Sequence, residues 1–347
     1  MRVLLTGSAG FVGTAVGAAL EEAGHEVLRT DAMLPQAHGT GERPPGTHPV
    51  DVRDADALAP LLAGVDVVCH QAALVGAGVR VADLPDYASV NDLGTAVLLA
   101  AMAEAGVRRL VLASSMVVYG EGRYACPDHG DQPAPPRTPA DLDAGRFDHR
   151  CPVCGRPLGW GPVAEDARLD PRSAYAASKL AQEHYAAAWA RQAEGSVVAL
   201  RYHNVYGPGM PRDTPYSGVA AMFRSALERG EPPRVFEDGA QTRDFVHVDD
   251  VALANRLAVD SVADRPAGGL AACNVCSGTP VTIAEVARLV ARGSRSGREP
   301  IVTGEYRPGD VRHIVASPAR AAAELGFRAT VPPTTGLPAF ATAPLRG

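Results

Sequence analysis

Short apolar runs alternate with Ala/Leu-rich stretches through the first two hundred residues. Arg2 to Thr6, Glu26 to Thr30, Asp66 to His70, Arg109 to Ser114 and Val197 to Arg201 read as strands. Between them, the stretches from about Val12 to Ala23, Ala55 to Leu62, Tyr87 to Ala105 and Ser173 to Ala193 read as helices. Strands alternating with helices predict an α/β fold: a doubly wound parallel sheet of Rossmann type. Residues 32–50 are polar and rich in Gly and Pro, so a surface loop is expected there. The rhythm then loosens. Residues 210–243 mix turns with one helix, Gly218 to Glu228, and a further helix runs to about Asp260. A strand at Cys273–Gly278 and a helix from Thr282 to Val290 precede a Pro/Ala-rich stretch. The expected organisation is a cofactor domain over 1–209, interrupted by an insertion at 121–165. A smaller C-terminal substrate lobe takes 210–243 and 270–347, and 244–269 returns to the cofactor domain.

Composition narrows the class. The chain has 347 residues, 46% of them hydrophobic and 21% charged, which suits a soluble globular protein. The net charge of −6, with no long basic run, argues against a nucleic-acid partner. No apolar stretch is long enough to span a membrane, and the first residues lack a convincing signal-peptide cleavage site, so no membrane association and a cytoplasmic location are expected. Cys126, Cys151 and Cys154 cluster with His129; in a reducing compartment such groups read as metal ligands before disulfides.

Three patterns carry chemistry. The first is Gly7-Ser8-Ala9-Gly10-Phe11-Val12-Gly13 between a strand and a helix, with Asp31 closing the next strand. Glycines let the backbone approach a pyrophosphate, and the helix N-terminus attracts its charge. Asp31 suits both hydroxyls of an adenosine ribose and would repel a 2′-phosphate, which favours NAD over NADP. The second is Ser115 at the end of a strand, with Tyr175 and Lys179 four apart and therefore on one face of a helix. A phenol normally titrates near pKa ~10; beside a lysine and a cationic nicotinamide it can serve as a base toward a sugar hydroxyl. The third is Cys126-Pro-Asp-His129 with Cys151-Pro-Val-Cys154-Gly155, two ligand pairs typical of a zinc knuckle. Three thiolates and an imidazole would fill a tetrahedral shell, so a structural zinc is expected, with His149 as a substitute for His129. Cys69 reads as a small core residue. Cys273 and Cys276 read as strand residues on opposite faces.

Taken together, TGSAGFVG, HQAA, ASSMVVYG, YAASK, RYHNVYGPG, RDFVHVDDV and RPGD resemble the extended short-chain dehydrogenase/reductases of the nucleotide-sugar epimerase/dehydratase group. They run in that family's order from residue 6 to residue 310. The resemblance implies that Asp51 and Val52 lie by the adenine, that Ala72 and Ala73 line the cofactor groove, and that Asn91 orders neighbouring loops on the cofactor side. It implies that Lys179 holds the nicotinamide ribose and that Ser115 orients the reacting oxygen. It also implies contacts from Asn204, Arg243 and Arg307 to the substrate phosphates and from Asp310 to the nucleotide ribose. For each arginine a solvated surface charge is the alternative. Relatives commonly form homodimers through two helices of each subunit, which here would be those at residues 87–105 and 173–193.

The residues after Ser115 discriminate among reactions. Sugar-nucleotide 4,6-dehydratases of this family carry Thr-Asp-Glu there, whose acids eliminate water. Here the trio is Ser115-Met116-Val117, and neither Met nor Val can move a proton. The expected reaction is therefore epimerisation at C4 of a nucleotide sugar with tightly held NAD. The segment from Pro215 to Val248 and the cysteine insertion resemble bacterial dTDP-L-rhamnose 4-epimerases, which suggests a dTDP-6-deoxyhexose. UDP-glucose and UDP-glucuronate remain open as substrates. So do a 4-ketosugar reductase using NADPH and a noncatalytic regulator, which Asp31 and the intact Ser115, Tyr175 and Lys179 respectively oppose.

Overall fold

A computed structural model describes residues 1–39, 41–76, 78, 80–212 and 218–346. Residues 213–217, part of the stretch 210–243 expected to mix turns with one helix and including Pro215 to Ser217 of the rhamnose-epimerase-like segment, lie outside them. The apolar runs become a seven-stranded, all-parallel sheet. Its order from edge to edge is Gly269–Val275, Ser196–Tyr202, Arg109–Ser115, Val67–His70, Arg2–Thr6, Glu26–Thr30 and Thr47–His48. Both faces are covered, as an all-parallel sheet requires. Phe11–Glu22 packs with Val248–Ser261 on one face, while Gly94–Glu104 packs with Ala174–Ala193 on the other. The two resulting cores centre on Val3, Leu5, Val111 and Val198, and on Leu4, Val68, Leu110 and Leu112. Adjacent residues along each strand thus serve opposite cores, which is the period-two geometry of a strand.

Chain direction across the sheet reverses between Arg2–Thr6 and Val67–His70. A crevice opens at the carboxyl ends of the strands at such a reversal, and ligands of doubly wound sheets bind there. Register brings the functional strand ends level: Thr6 pairs with His70, and Ser115 with Tyr202.

Several expectations change. Within the expected loop 32–50, Pro35–His38 is a helical turn and Thr47–His48 is the sheet's edge strand. A two-residue strand is too short to leave a periodic signal. The last strand begins at Gly269, so the cofactor layer extends to Val275 rather than stopping at residue 269. The run expected as one helix from Tyr87 to Ala105 starts at Leu84 and contains a π-helical stretch, Ala88–Leu93, before Gly94–Glu104.

A smaller mixed sheet joins Asn204–Tyr206, Thr242–His247, Pro280–Thr282 and His313–Ile314. Behind it, Phe223, Leu227, Val290, Leu337 and Phe340 form a separate core. The insertion builds its own three-stranded antiparallel sheet from Arg123–Cys126, Gly130–Gln132 and Gly159–Gly161. Tyr124, Cys126, Ala134, Cys151 and Leu158 pack beneath it.

Candidate active site

A groove of about 760 Å³ follows the crevice. Its lining includes Gly7, Gly10, Phe11, Val12, Gly13, Asp31, Asp51, Val52, Ala72 and Ala73 from one end, and Ser115, Tyr175, Lys179 and Asn204 from the other. Fourteen of the residues singled out from sequence are therefore brought to one surface, and the glycine loop shows why glycine is needed. Gly7 sits at φ 64°, and a Cβ there would meet the Ala72 backbone nitrogen at 2.6 Å. A Cβ on Gly13 would lie 2.0 Å from the Gly7 carbonyl oxygen. The loop is therefore pressed against both its own helix and the next strand's exit, leaving a backbone cradle of the kind that admits a pyrophosphate. The donor set and the glycine contacts fit a dinucleotide.

Asp31 closes the end of the groove next to the glycine loop. Its carboxylate accepts bonds from the backbone N–H of Ala9 at 3.0 Å and of Met33 at 2.9 Å, and lies 3.1 Å from His38 Nε2. Burial alone would raise this carboxyl, but His38 and the two backbone donors together hold it below the ordinary carboxylate value. Asp51 lines the groove and takes a bidentate contact from Arg53.

At the other end, Ser173 caps the Ala174–Ala193 helix by accepting from Ala176 N–H. This fixes the first turn, where Tyr175 sits. The Gly78 carbonyl accepts from Ala174 N–H, so the loop after Ala73 crosses this same turn. Tyr175 lies beside Ser115 in the groove lining. Burial drives the phenol up to about 12, against the lowering effect of the Ser115 hydroxyl. Burial likewise pulls Lys179 down to about 7, with Glu183 opposing, and its Nζ donates to the Ala113 carbonyl at 3.0 Å. One partly buried phenol and one buried amine thus lie on adjacent turns of a single helix, beside a serine hydroxyl.

Asn91 is corrected. It is fully buried in the π-helical stretch and does not line the groove. Its Oδ1 accepts from Leu74 N–H at 2.7 Å, and its Nδ2 donates to the Leu74 carbonyl and to Ser178 Oγ. It orders the loop, as expected, without touching the cofactor surface. Arg243, Arg307 and Asp310 also lie outside the groove lining. The Arg243 guanidinium is committed to the carbonyls of Thr242, Val311 and Arg312. Arg307 is exposed and stacks 5.0 Å above the Phe236 ring. Asp310 is exposed, and its backbone carbonyl accepts from Arg137.

The four metal-ligating candidates do converge. One donor atom each from Cys126, His129, Cys151 and Cys154 fall within 4.8 Å of one another. Desolvation opposes ionisation of Cys126, yet the backbone N–H groups of Asp128 and His129 and the His129 ring draw its thiol down to about 6. His149 is not the substitute ligand: its Nε2 lies 3.1 Å from Glu121 Oε2. Cys69 and Cys273 are core residues, with Cys276 in a different cluster.

The sequence profile of the NAD dependent epimerase/dehydratase family matches residues 3–140 and 152–276. The chain belongs to this family. The interval between the matched segments falls inside the cysteine insertion. A dTDP-L-rhamnose 4-epimerase of Burkholderia thailandensis is 34% identical over 94% of this chain and 90% of its own length. A UDP-glucose 4-epimerase of Mycolicibacterium smegmatis is 32% identical over 97% of this chain and 96% of its own. Among solved structures, a Thermus thermophilus UDP-glucose 4-epimerase in complex with NAD is 30% identical with TM-score 0.74, covering 98% of each chain. MoeE5 in complex with UDP-glucuronic acid and NAD is 31% identical with TM-score 0.74, covering 97% of this chain and 96% of that one.

Sequence reasoning missed further residues of this family member's site. His38 and Arg346 line the Asp31 end of the groove, though both stand in stretches without a motif. His203 also lines the groove, with both ring nitrogens buried and unpartnered. Ser114, Glu183 and Arg201 make a buried network under the strand that carries Ser115, with Arg201 bonding both Glu183 oxygens at 2.9 and 2.7 Å.

Proposed function

We propose that this chain is an NAD-dependent nucleotide-sugar 4-epimerase working through a transient 4-keto sugar. Its proposed substrate is a dTDP-6-deoxyhexose such as dTDP-L-rhamnose. The observation that carries the reaction class is the trio at the groove: Ser115 beside Tyr175, with Lys179 one turn away and apolar Met116 following Ser115. Similarity to the B. thailandensis enzyme supports the deoxyhexose; similarity to the UDP-sugar epimerases keeps UDP-glucose and UDP-glucuronate as the alternative.

Bound NAD would supply a hydride acceptor that later returns hydride to the other face of the same carbon. The residues do the rest. Ser115 orients the sugar O4 and Tyr175 removes its proton. Lys179, already partly unprotonated in the free site, takes up positive charge most readily beside a phenolate. Tyr175 then returns the proton to the inverted alkoxide. Gly7, Gly10, Phe11, Val12 and Gly13 would hold the pyrophosphate, and Asp31 the adenosine ribose. Asn204, Arg307 and Asp310 are proposed for the nucleotide end. Arg243 is proposed to support that end by fixing the backbone at Val311 and Arg312.

We assign the Cys126, His129, Cys151 and Cys154 cluster to a structural zinc, because four protein donors close the shell against water. We place the enzyme in the cytoplasm, where such thiols stay reduced. A homodimer is proposed through the helices at 84–104 and 174–193, which leave Leu84, Leu93 and Tyr185 exposed by 48, 53 and 46%. The test is incubation with dTDP-, UDP- and GDP-sugars without added cofactor, followed by proton NMR. Interconversion at C4 is expected. Turnover that demands stoichiometric NADPH, or none across the panel, would overturn the reading.

A further inference from the structure

Arg346 is the most distant residue in sequence to reach the glycine loop. Its guanidinium Nη1 donates to the Ala9 carbonyl at 2.7 Å, across 337 positions of chain. Its Nη2 lies 3.1 Å from His38 Nδ1. A guanidinium can only donate, so Nδ1 must be the acceptor and the proton of the neutral imidazole sits on Nε2. That nitrogen is 3.1 Å from Asp31 Oδ1. The three side chains therefore form a directed chain, Arg346 to His38 to Asp31, and Asp31 bonds back to Ala9 N–H. The ring of contacts closes on one residue of the glycine loop.

The segment that carries Arg346 is itself fastened. Arg346 N–H donates to the Met210 carbonyl at 3.2 Å, Arg212 N–H to the Arg346 carbonyl at 3.1 Å, and Gly209 N–H to the Pro344 carbonyl at 2.8 Å. These bonds form a parallel bridge between Pro211 and Arg346. Asp31, Leu34, Pro35, His38, Gly39 and Arg346 all line the same end of the groove. His38 is only 7% exposed. A dinucleotide whose ribose meets Asp31 would thus have the 343–346 segment beside its adenosine, joined to both walls of the groove.

We propose that Arg346 is a positioning residue that latches the adenosine end of the bound dinucleotide and slows its release. It acts through Ala9 and His38 and takes no part in proton or hydride movement. The proposal rests on the NAD reading above. It gives that reading a physical device: a reaction that regenerates its cofactor gains nothing from release, and this link opposes it. Arginine is required because two separated donors must reach the Ala9 carbonyl and the imidazole at once; an ammonium presents a single point.

The experiment follows release of NAD from wild-type protein, Arg346→Ala, Arg346→Lys and His38→Ala. Each is purified with its cofactor, diluted into buffer with excess ADP-ribose, and sampled for retained NAD. Arg346→Ala is expected to release NAD about tenfold faster or more, the loss of a charge-assisted pair of bonds. Arg346→Lys should recover only part of the retention. The double variant Arg346→Ala/His38→Ala should be scarcely worse than either single one, because both belong to one chain. Thermal unfolding is measured alongside. If Arg346→Ala lowers Tm but releases NAD at the wild-type rate, the latch is overturned and the NAD reading stands. If wild-type protein binds neither NAD nor ADP-ribose, both fall together.

Discussion

Lys179 should destabilise the protein it makes active, and the amount can be worked from its surroundings. Its ammonium lies in the interior between the catalytic strand and helix, with one fixed acceptor, the Ala113 carbonyl. Burial lowers its pKa from 10.5 to about 7, with Glu183 opposing. The shift of about 3.5 units corresponds to a cost of roughly 5 kcal/mol for keeping the charged form folded. The sign follows from proton counts. Below pH 7 both states are protonated and the full cost is present. Between pH 7 and 10.5 the unfolded chain binds the proton and the folded one has lost it, so stability rises with pH. Lys179→Met keeps most of the packed volume and removes the charge. Urea unfolding of cofactor-free protein should find the variant more stable at pH 6, by up to a few kcal/mol after the lost Ala113 bond is counted. The advantage should shrink steadily above pH 7 and vanish near pH 10.5, while turnover is lost at every pH. A stability difference that stays constant from pH 6 to 10 would refute the reasoning, since only a buried titrating amine produces the slope.

Other substitutions probe the same architecture. Glu183→Gln leaves the Arg201 guanidinium, itself 4% exposed, without its counter-charge and should cost about 3–5 kcal/mol in unfolding free energy. Cys151→Ser should lower the zinc content of purified protein measured by atomic emission, and chelation should then lower Tm less than in wild type. Glu237 adopts a left-handed backbone, φ 53°, which in a non-glycine costs about 1–2 kcal/mol. Glu237→Gly relieves that strain yet strips Arg137 and Arg312 of a buried partner, so a net loss of stability in urea and a higher KM for the nucleotide sugar are expected.

The parts of this site that were legible in the sequence are those whose members lie close together along it. The glycines at 7, 10 and 13, the Tyr175–Lys179 pair and the two ligand pairs, Cys126–His129 and Cys151–Cys154, each owe their spacing to one turn, loop or helix. Local geometry therefore writes them as local patterns. Contacts between distant segments leave no such mark. Nothing near Arg346 points to Ala9, and nothing near Glu237 explains an acidic residue at a positive φ until Arg137 and Arg312 are seen around it. The π-helical stretch was invisible for a different reason. Its apolar spacing resembles that of an ordinary helix, while the extra residue per turn is fixed by Asn91 reaching Leu74 and Ser178. Arg243 was misplaced because a motif names a residue type and its position, whereas three backbone carbonyls decide where its guanidinium points.

The insertion leaves the catalytic strand after the Met116–Tyr119 turn and returns just before the catalytic helix, so proximity alone would suggest a cover for the sugar. Its strongest contacts lead elsewhere. Arg137 pairs with Glu237 at 2.8 Å, and Asp148 with Arg312 at 2.8 Å. Glu121 accepts from Arg312 N–H at 2.8 Å and lies against His149, two residues before Cys151. Arg312 in turn holds Glu237 and Asp238, and its carbonyl accepts from Arg243. Most of these bonds meet at Arg312, in the segment that follows Arg307 and Asp310, the residues proposed for the nucleotide. A metal that stiffens 126–154 would therefore act on the nucleotide end of the substrate, through a buried ion cluster, and leave the Ser115–Tyr175 geometry to the sheet and helix that build it. Chelation should accordingly raise KM for the nucleotide sugar before it touches kcat or NAD retention. A fall in kcat at unchanged KM would place the metal's influence at the chemistry instead.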